Sequence, residues 1–389
     1  MRYTKVVVCL VATLCTGLAL AEVPATQTGA ADQVPSGSPI AFVYVSSSPT
    51  SNNYEINAFA VASNGKLTAV SGSPFRVGFV AGMAVNPKYL FLTDAVYIYS
   101  FSIAPDGTIK QVASINAQQF NNPSNYGGPR YLFLDRSGAN VYDTDLYCCG
   151  DDNALQFFNL EASTGELSFI GVTTATWSYY EPLSFIGNSV YGYASECSEY
   201  SDIYGFQRDD DGTLSALNIN PLVPTAPKGY SYCPNQIVGD SANHLAMALT
   251  PSNAYNSPGP PPPPQLATYT ADSSGNITTR STRFNMPKTA IPVITDIAMS
   301  PSGKLLAVAG LNGLQVFHFN GSKPLTHYTG LLTLDQIDQV YWDNDNHLYA
   351  ISQPSGKLFV YTVTPDSVSQ APGSPHKITQ PQNIVVLSK

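Results

Sequence analysis

The chain has 389 residues, of which only 12% are charged, and its formal net charge is −9. This acidic balance argues against nucleic acids and anionic membranes as partners, because both reward clustered Lys and Arg. The length is enough for one large domain or for two smaller ones.

The N-terminal segment has the pattern of an export signal. Arg2 and Lys5 form a charged start, residues 6–21 are apolar, and Ala19-Leu20-Ala21 is an A-x-A cleavage pattern. The apolar run is shorter than the roughly 20 residues that a membrane span needs. We predict a secreted or periplasmic protein without membrane insertion, divided into a signal peptide (1–21, cleaved after Ala21), a disordered lead-in (22–36) and a single domain (37–389).

A short hairpin signature recurs along the predicted domain. In each copy, polar residues that end in Gly follow an aromatic-rich strand, and the glycine supplies the positive φ of a tight turn. The copies are roughly 40–60 residues apart, which is the repeat length of a β-propeller blade made of short strands. The turn glycines are Gly65, Gly107, Gly165, Gly212 and Gly275.

A second repeated landmark is the turn between the first two strands of each unit, such as Ser300-Pro301-Ser302-Gly303. Alignment on this turn predicts four strands per unit, A to D. Strand A is expected near residues 81–86, 129–135, 182–187, 234–240, 294–300, 337–343 and 381–387. The last of these has no strands B to D after it, whereas residues 40–46 form a strand B without a strand A before it. We therefore predict an all-β, seven-bladed β-propeller of four-stranded antiparallel blades, in which the C-terminal strand completes blade 1 and closes the ring.

Two aspartate-rich stretches resemble metal loops but align with turns. Residues 209–212 coincide with a turn between strands C and D, and residues 343–346 coincide with a turn between strands A and B. No Glu follows the first stretch at the distance that a calcium loop requires. We predict ordinary turns, no metal site and no cofactor.

Four cysteines remain after the predicted signal peptide: Cys148, Cys149, Cys197 and Cys233. An even number of cysteines in an exported chain predicts disulfides, and no C-x-x-C pair indicates zinc. The cysteines fall in loops at one end of neighbouring blades 3, 4 and 5. We predict that one disulfide to Cys197 and one to Cys233 join these blades. Of the three possible connectivities, the one with a Cys148–Cys149 bond is the most strained.

The A strands of a propeller line a central channel, and the D–A and B–C loops surround its top end. Two alignment columns at the start of strand A, which we call the mouth ring, lie at this end. One column contains Gly82, Tyr131, Ser184, Gln236, Asp296, Gln339 and Asn383, and the preceding column contains Ala81, Arg130, Leu183, Asn235, Thr295, Asp338 and Gln382. A polar, convergent ring is a candidate ligand site. The alternative is that these side chains only hydrogen-bond water in the channel.

Two motifs resemble those of the lactonase-like seven-bladed propellers, a family that includes 6-phosphogluconolactonases and the fungal carboxymuconate cycloisomerase. Gly128-Pro129-Arg130-Tyr131 is similar to the family's G-P-R-H start of strand A. Gly72-Ser73-Pro74-Phe75 and Gly373-Ser374-Pro375-His376 are similar to its blade ending. The resemblance covers residues 38–389 and implies this fold in a bacterial protein, and the signal-peptide pattern predicts that the protein is exported.

The resemblance also implies lactone hydrolysis as one function. Arg130 would then donate to the carbonyl oxygen, and Asp296 or Asp338 would be the general base. However, no histidine occupies either column of the mouth ring, and a phosphorylated lactone would require more cations than one Arg. We therefore expect a binding or scaffold protein whose top face and mouth ring bind a small molecule, a glycan or a protein, with lactone hydrolysis as the alternative. The expected ligand-binding residues are Arg130, Tyr131, Asn235, Gln236, Asp296, Asp338, Gln339 and Asn383.

Overall fold

The computed structural model describes residues 37–94, 96–120, 128–146, 152–176, 183–195, 197, 202–253 and 261–389. These residues form seven antiparallel β-sheets, and each sheet is one blade of a propeller. The 3₁₀ turn Gln118–Phe120 is the only helical element in this part of the chain. No helix within the described ranges is long and apolar enough to cross a membrane.

The first four blades have the following strands. Blade 1 contains β1 (Ala41–Thr50), β2 (Asn53–Val61), β3 (Leu67–Ala69), β4 (Phe75–Val77) and the C-terminal β30 (Pro381–Ser388). Blade 2 contains β5 (Gly82–Val85), β6 (Tyr89–Thr93), β7 (Tyr97–Ile103) and β8 (Ile109–Asn116). Blade 3 contains β9 (Gly128–Leu134), β10 (Asn140–Leu146), β11 (Asp152–Leu160) and β12 (Leu167–Thr176). Blade 4 contains β13 (Ser184–Ile186), β14 (Tyr191–Ser195), β15 (Ile203–Arg208) and β16 (Leu214–Leu217).

The last three blades follow the same order. Blade 5 contains β17 (Tyr230–Gly239), β18 (His244–Asn253), β19 (Gln265–Ala271) and β20 (Ile277–Thr279). Blade 6 contains β21 (Ile294–Met299), β22 (Leu305–Gly310), β23 (Gly313–Asn320) and β24 (Lys323–His327). Blade 7 contains β25 (Gln339–Trp342), β26 (His347–Ser352), β27 (Lys357–Val363), β28 (Val368–Gln370) and β29 (His376–Lys377).

The ring closes where the C-terminal strand pairs with the first strand. β30 lies antiparallel to β1, with Val386 opposite Val43. β30 is therefore strand A of blade 1, and all the predicted A strands coincide with observed strands to within a few residues. The predicted fold class is confirmed. Closure by pairing also covers a strand edge that would otherwise be exposed.

The apolar core lies between neighbouring blades. Side chains on successive strand positions point to opposite faces of each sheet, so each blade contributes to two junctions. At the junction of blades 1 and 2, Phe42 and Tyr44 pack with Leu90 and Leu92, and all four are almost fully buried. Burial of this kind, repeated at every junction, stabilises the ring.

The recurring turn glycine is a contact between blades as well as a turn residue. Gly107, in the C–D turn of blade 2, has a φ of 87°, and a Cβ added to it would lie 2.5 Å from Phe42 Cε1 in blade 1. The Gly107 carbonyl accepts a hydrogen bond of 3.0 Å from the Tyr44 hydroxyl. Tyr142 makes the same bond to Gly212. Both the backbone conformation and the packing at the junction therefore require glycine.

The two Gly-Ser-Pro motifs end strand D and return the chain to strand C. The Ser73 hydroxyl accepts a hydrogen bond from the Ala58 N–H, and the Ser374 hydroxyl accepts one from the Val360 N–H, both at 2.8 Å. After each motif, a short strand (β4 or β29) pairs with strand C again. Each hydroxyl thus satisfies a backbone donor at the break in strand D.

Both aspartate-rich stretches are turns. Asp211 accepts hydrogen bonds from the N–H and the hydroxyl of Thr213 in the C–D turn of blade 4. Asp343, in the A–B turn of blade 7, accepts from the His347 N–H and lies 2.8 Å from both His347 Nδ1 and the Tyr349 hydroxyl. These carboxylates satisfy turn backbone, which explains why acidic residues occur at these positions.

Candidate functional site

Strand A is the innermost strand of each blade. Neighbouring A strands contact one another, as β21 does with β17 and β25. The D–A connections lead into the starts of these strands, so the mouth ring lies at the end of the channel that these connections surround. The fold therefore gathers residues from distant parts of the chain into one ring.

A β-bulge lies at the mouth ring in four of the A strands. In β21, Ile294 pairs with Gly310 and Asp296 pairs with Ala309, so Thr295 between them has no partner in strand B. The registers of β9, β17 and β30 skip one residue at the equivalent position. The skipped residues are Arg130, Asn235 and Gln382. A bulge redirects the local backbone, and bulges are over-represented beside active sites.

The bulges were not predicted, although the sequence marks them. In three of the four strands, the bulged residue directly follows a proline, namely Pro129, Pro234 or Pro381. Proline has no N–H to donate to a ladder, so within sheets it is confined to edges, strand starts and bulges. A proline directly before a residue of the mouth ring was therefore a signal from which these bulges could have been predicted.

Polar side chains of the mouth ring bridge neighbouring blades. Asp296 Oδ2 in blade 6 accepts a hydrogen bond of 2.8 Å from the Val340 N–H in blade 7. Gln339 Oε1 in blade 7 makes the equivalent contact one blade later, accepting a bond of 2.9 Å from the Ile384 N–H in blade 1. Two candidate ligand residues, Asp296 and Gln339, thus also hold neighbouring blades together.

The bulged residues make a second set of bridges. Asn235 Nδ2 in blade 5 donates to the Ile294 carbonyl in blade 6 at 3.4 Å. The Thr295 hydroxyl in blade 6 donates to the Ile337 carbonyl before blade 7 at 2.6 Å. Each bond joins a bulge to the start of the next strand A. These side chains are consequently positioned by the protein itself, which is a requirement of a pre-organised site.

The two candidate general bases differ in the groups that donate hydrogen bonds to them. Asp338 Oδ1 accepts from the Gln336 amide at 2.8 Å, and Asp338 Oδ2 accepts from the Gln353 N–H at 2.6 Å. Both Asp338 oxygens therefore accept hydrogen bonds that stabilise the neighbouring loops. Asp296 receives only backbone donors, from Val340 and Ile297. Each carboxylate therefore accepts two hydrogen bonds and keeps unused lone pairs, so hydrogen bonding alone does not separate the two candidates.

The environment of Asp296 favours proton transfer. Burial raises the pKa of Asp296 to about 7, because the surrounding blades displace water from the carboxylate. The N–H groups of Val340 and Ile297 oppose this rise, since they stabilise the charged form. A carboxyl that titrates near neutral pH can both accept and release a proton under physiological conditions.

Other positions of the mouth ring differ in their exposure and in the bonds they make. Tyr131 is 38% exposed, and Gln236 is buried. The Ser184 hydroxyl accepts a hydrogen bond of 2.9 Å from the Gly239 N–H, so it supports the junction of blades 4 and 5. The side chain of Arg130 lies outside the described residues, and its predicted function as a donor stays a prediction.

The ring closes at Asn383, which contacts blade 1 and blade 2. Asn383 Nδ2 donates to the Ser46 hydroxyl at 3.1 Å, and the same hydroxyl accepts from the Asn383 N–H at 3.0 Å. Nδ2 also lies 3.5 Å from the Val80 carbonyl.

In the described ranges, no group of three His, Cys, Asp or Glu side chains is close enough to hold a metal ion.

A disulfide joins Cys197 to Cys233 across a sequence separation of 36 residues. This corrects the predicted pairing, in which each of these cysteines is bonded to Cys148 or Cys149. The reason is the length of strand A in blade 5, which starts at Tyr230 and so places Cys233 inside β17, beside the B–C loop of blade 4. Cys148 and Cys149 lie outside the described residues.

The extended start of β17 forms a wall beside the mouth ring. Cys233 is held by the disulfide, and the neighbouring Tyr232 hydroxyl donates to Gln265 Oε1 at the start of β19. Asn235, two residues after Cys233, is the bulged residue of this strand. The wall is therefore anchored to blade 4 on one side and to strand C of its own blade on the other.

This architecture can be compared with known structures. A provisional 6-phosphogluconolactonase of Bacteroides fragilis has a TM-score of 0.67 at 13% identity, over 92% of this chain and 100% of its own. The periplasmic gluconolactonase PpgL of Pseudomonas aeruginosa has a TM-score of 0.64 at 12% identity, over 90% and 99%. A protein from Lactobacillus plantarum has a TM-score of 0.67 at 15% identity, over 90% and 100%. The chain has the fold of the lactonase-like seven-bladed propellers.

The likeness to the lactonase-like propellers, at these low identities, establishes the fold alone. No family model matches the sequence, and no curated protein matches it either. The resemblance that the Gly-Pro-Arg and Gly-Ser-Pro motifs predicted is thus confirmed for architecture.

Proposed function

We propose that the protein binds a small, uncharged, polar ring compound, such as a sugar or a sugar lactone, at the mouth ring. The observation that carries this proposal is an acceptor without a partner. Asn235 donates through Nδ2 to Ile294, but its Oδ1 is buried and accepts no hydrogen bond from the described residues. A buried acceptor of this kind costs free energy unless a ligand or a water donates to it.

A complementary donor is present on the same ring. Gln339 accepts through Oε1 from Ile384, which leaves its Nε2 amide to donate elsewhere. Asn235 and Gln339 belong to blades 5 and 7, with Asp296 between them on blade 6. The Asn235 acceptor, the Asp296 carboxyl and the Gln339 donor therefore lie on three consecutive blades. Together they suit the hydroxyl and carbonyl groups of a sugar-like ring.

The charges of the mouth ring argue against a phosphorylated ligand. Phosphate recognition usually requires Arg or Lys in bidentate or clustered arrangements. Arg130 is the only basic residue in the two columns, and Asp296 and Asp338 are acidic. One of the aligned structures is named a periplasmic gluconolactonase, and that name supports an unphosphorylated sugar lactone as the ligand class.

Binding can be tested by titration calorimetry with glucose, gluconolactone and glucose 6-phosphate, which differs from glucose only by its phosphate. We expect binding of at least one neutral compound and none of the phosphorylated compound. Gln339→Ala and Asn235→Ala should each weaken binding about tenfold, the effect of one lost hydrogen bond in a buried site. Gln111→Ala, on the exposed outer strand β8, is the matched control. Equal affinities for the control and the two ring variants would contradict the proposed site.

Hydrolysis of the bound lactone is the second candidate function, favoured by the environment of Asp296. In this step, Asp296 takes a proton from water as the water oxygen bonds to the lactone carbonyl carbon. The tetrahedral intermediate then collapses, the ring C–O bond breaks, and the leaving alkoxide recovers the proton to give a hydroxy acid. Arg130, as predicted from the sequence, would stabilise the oxyanion.

Turnover separates this second candidate from simple binding. Asp296→Asn should lower the rate roughly 100-fold or more, the usual effect of losing a general base, while affinity for the lactone is kept. Arg130→Ala tests the oxyanion donor in the same assay. If the wild type binds neutral sugar lactones or aromatic lactones but hydrolyses none of them, the hydrolase function is wrong and the protein is a binding protein.

We also propose that the protein acts outside the cytoplasm. The Cys197–Cys233 disulfide supports this location, because disulfides persist in oxidising compartments. The predicted signal peptide at 1–21 supports it independently, although residues 1–36 lie outside the described ranges. N-terminal sequencing of the protein recovered from the periplasm or the medium should find Glu22 as the first residue.

A further inference from the structure

The three most exposed large apolar side chains of the described residues lie at one end of the propeller. They are Phe284 (85% exposed), Leu222 (81%) and Leu334 (77%). Each belongs to a connection from strand D of one blade to strand A of the next, between blades 4 and 5, 5 and 6, or 6 and 7. Because all D–A connections lie at the end that carries the mouth ring, the three side chains form an arc across consecutive blades.

Phe284 lies in a positively charged segment that we call the basic loop, residues 280–288. The basic loop contains Arg280, Arg283 and Lys288 and no acidic residue. All three cations are exposed, and none forms an ion pair with a described residue. The Arg283 guanidinium lies over the Phe284 ring, 4.5 Å from its centre. A cation and an aromatic ring are thus presented together.

The basic loop is held from below by the blade. Gln265 Nε2 donates to the carbonyls of Arg283 at 3.2 Å and Met286 at 2.8 Å, and Met286 is buried in the core. The Asn285 side chain accepts from the Thr282 N–H at 2.7 Å and closes the turn. The exposure of Phe284 is therefore built into an ordered loop, and exposed apolar surface of this kind marks interaction sites.

The neighbouring apolar side chains also sit on anchored backbone. The Leu222 carbonyl accepts from the Tyr269 hydroxyl at 3.2 Å. Close to Leu334, the Leu332 N–H donates to the Leu314 carbonyl at 2.7 Å, and Thr333 forms a β-bridge with Leu314. Three fixed, protruding side chains at one end suit a flat and penetrable surface, whereas a protein partner would need a separate pocket for each of them.

We propose that this end of the propeller docks on the surface of an anionic lipid membrane, with Phe284 at the interface and the basic loop on the headgroups. A bilayer interface places apolar and anionic groups at adjacent depths, which matches a ring stacked under a guanidinium. Leu222 and Leu334 flank this contact. The mouth ring lies at the same end, so docking brings the proposed ligand site close to the membrane.

The acidic net charge of −9 is compatible with this docking. Charges more than about 10 Å apart are largely screened at physiological salt, so the local charge of the basic loop decides the attraction. At the same end, Asp335 beside Leu334 is paired with Lys357 at 2.8 Å, and Asp296 and Asp338 lie in the mouth ring, so the attraction comes from the basic loop and not from the whole face. The net charge of the whole chain argued against anionic membranes as partners, but that argument does not apply to the basic loop.

The test is co-sedimentation with vesicles of phosphatidylglycerol and phosphatidylcholine, compared with vesicles of phosphatidylcholine alone. We expect stronger binding to the anionic vesicles, weakened by salt. Arg283→Glu should reduce binding about fivefold or more, from the energy of one basic residue near an anionic surface. Phe284→Ser should reduce binding by a similar factor, because it removes the apolar side chain that enters the interface. Lys110→Glu and Val112→Ser, on the exposed outer strand β8, are the matched controls. All forms are compared with the same N terminus, so any contribution of residues 1–36 cancels.

Hydrogen exchange locates the contact directly. Anionic vesicles should protect residues 280–288 and leave β8 unprotected. Absence of protection there, or equal binding by the Phe284→Ser variant and its Val112→Ser control, would overturn the proposal. A dimer in solution that Phe284→Ser dissociates would overturn it too, and would assign the surface to a second copy of the chain.

Discussion

Asp296 and Val340 are joined by a hydrogen bond of 2.8 Å that crosses from blade 6 to blade 7. The bond connects a side chain to a backbone N–H, so it anchors the carboxylate without neutralising it. Burial in the folded ring raises the pKa of Asp296 to about 7, and the Val340 N–H opposes this rise. One contact therefore supports the cohesion of the ring and limits the rise in the pKa of the candidate base.

Asp296→Asn should change how stability depends on pH. In the unfolded chain, this carboxyl ionises near pH 4, whereas in the folded protein it ionises near pH 7. Its contribution to stability is therefore lost as pH rises between these values, because only the unfolded state releases the proton. At pH 8 the variant should be more stable than the wild type, on the order of 2 kcal/mol, and near pH 4 the two should be equal.

Thermal or urea unfolding at several pH values measures this difference. Asp272→Asn is a control of opposite sign, because the N–H groups of Ser274 and Asn276 lower the pKa of Asp272. Its loss should not stabilise the protein at pH 8. A stability difference for Asp296→Asn that is the same at every pH would show that the carboxyl is not desolvated in the folded state.

Gly107→Ala should destabilise the junction of blades 1 and 2. The new Cβ would lie 2.5 Å from Phe42 Cε1, at a φ of 87° that alanine rarely adopts. We expect a loss of about 3 kcal/mol in the free energy of unfolding, from overpacking and backbone strain combined. In Gly330→Ala, no atom lies within 4 Å of the new Cβ, so this variant should stay within about 1 kcal/mol of wild type. Denaturant unfolding of both variants measures this difference. Similar losses of the free energy of unfolding in the two variants would mean that the junction does not require glycine.

The Cys197–Cys233 disulfide should stabilise the wall beside the mouth ring. The bond spans 36 residues, so its removal by Cys197→Ser should cost roughly 3–4 kcal/mol through the greater freedom of the unfolded chain. Peptide mapping without reduction should recover a fragment that links these two cysteines. Recovery of Cys197 bonded to Cys148 or Cys149 instead would restore the pairing predicted from the sequence. Calorimetry with and without reductant measures the energy.

Ser374→Ala removes a hydrogen-bond acceptor at the break in strand D of blade 7 and should lower the free energy of unfolding. The hydroxyl accepts from the N–H of Val360, a fully buried residue, at 2.8 Å. Loss of that acceptor should cost about 1–3 kcal/mol, the price of a buried donor left unpaired. Ser369→Ala, on the exposed strand β28, is the control and should be nearly neutral. A neutral result for Ser374→Ala would indicate that water reaches this N–H.

Local patterns in the chain were sufficient to predict the ring. A polar turn that ends in glycine needs only neighbouring residues to form, and its repetition predicted the blades, their A strands and the closure by residues 381–387. The same alignment assigned residues 209–212 and 343–346 to turns. These features depend on backbone conformation and on side-chain alternation, which short segments encode.

The properties of the candidate site depend on contacts between residues that are far apart in the chain. Asn383 bonds to Ser46 across 337 residues, and the pKa of Asp296 depends on its burial in the folded ring, opposed by an N–H from the next blade. Cys197 pairs with Cys233 because β17 extends further than the repeat predicts. Desolvation, bridging hydrogen bonds and disulfide pairing are properties of positions in space, so only the folded ring decides them.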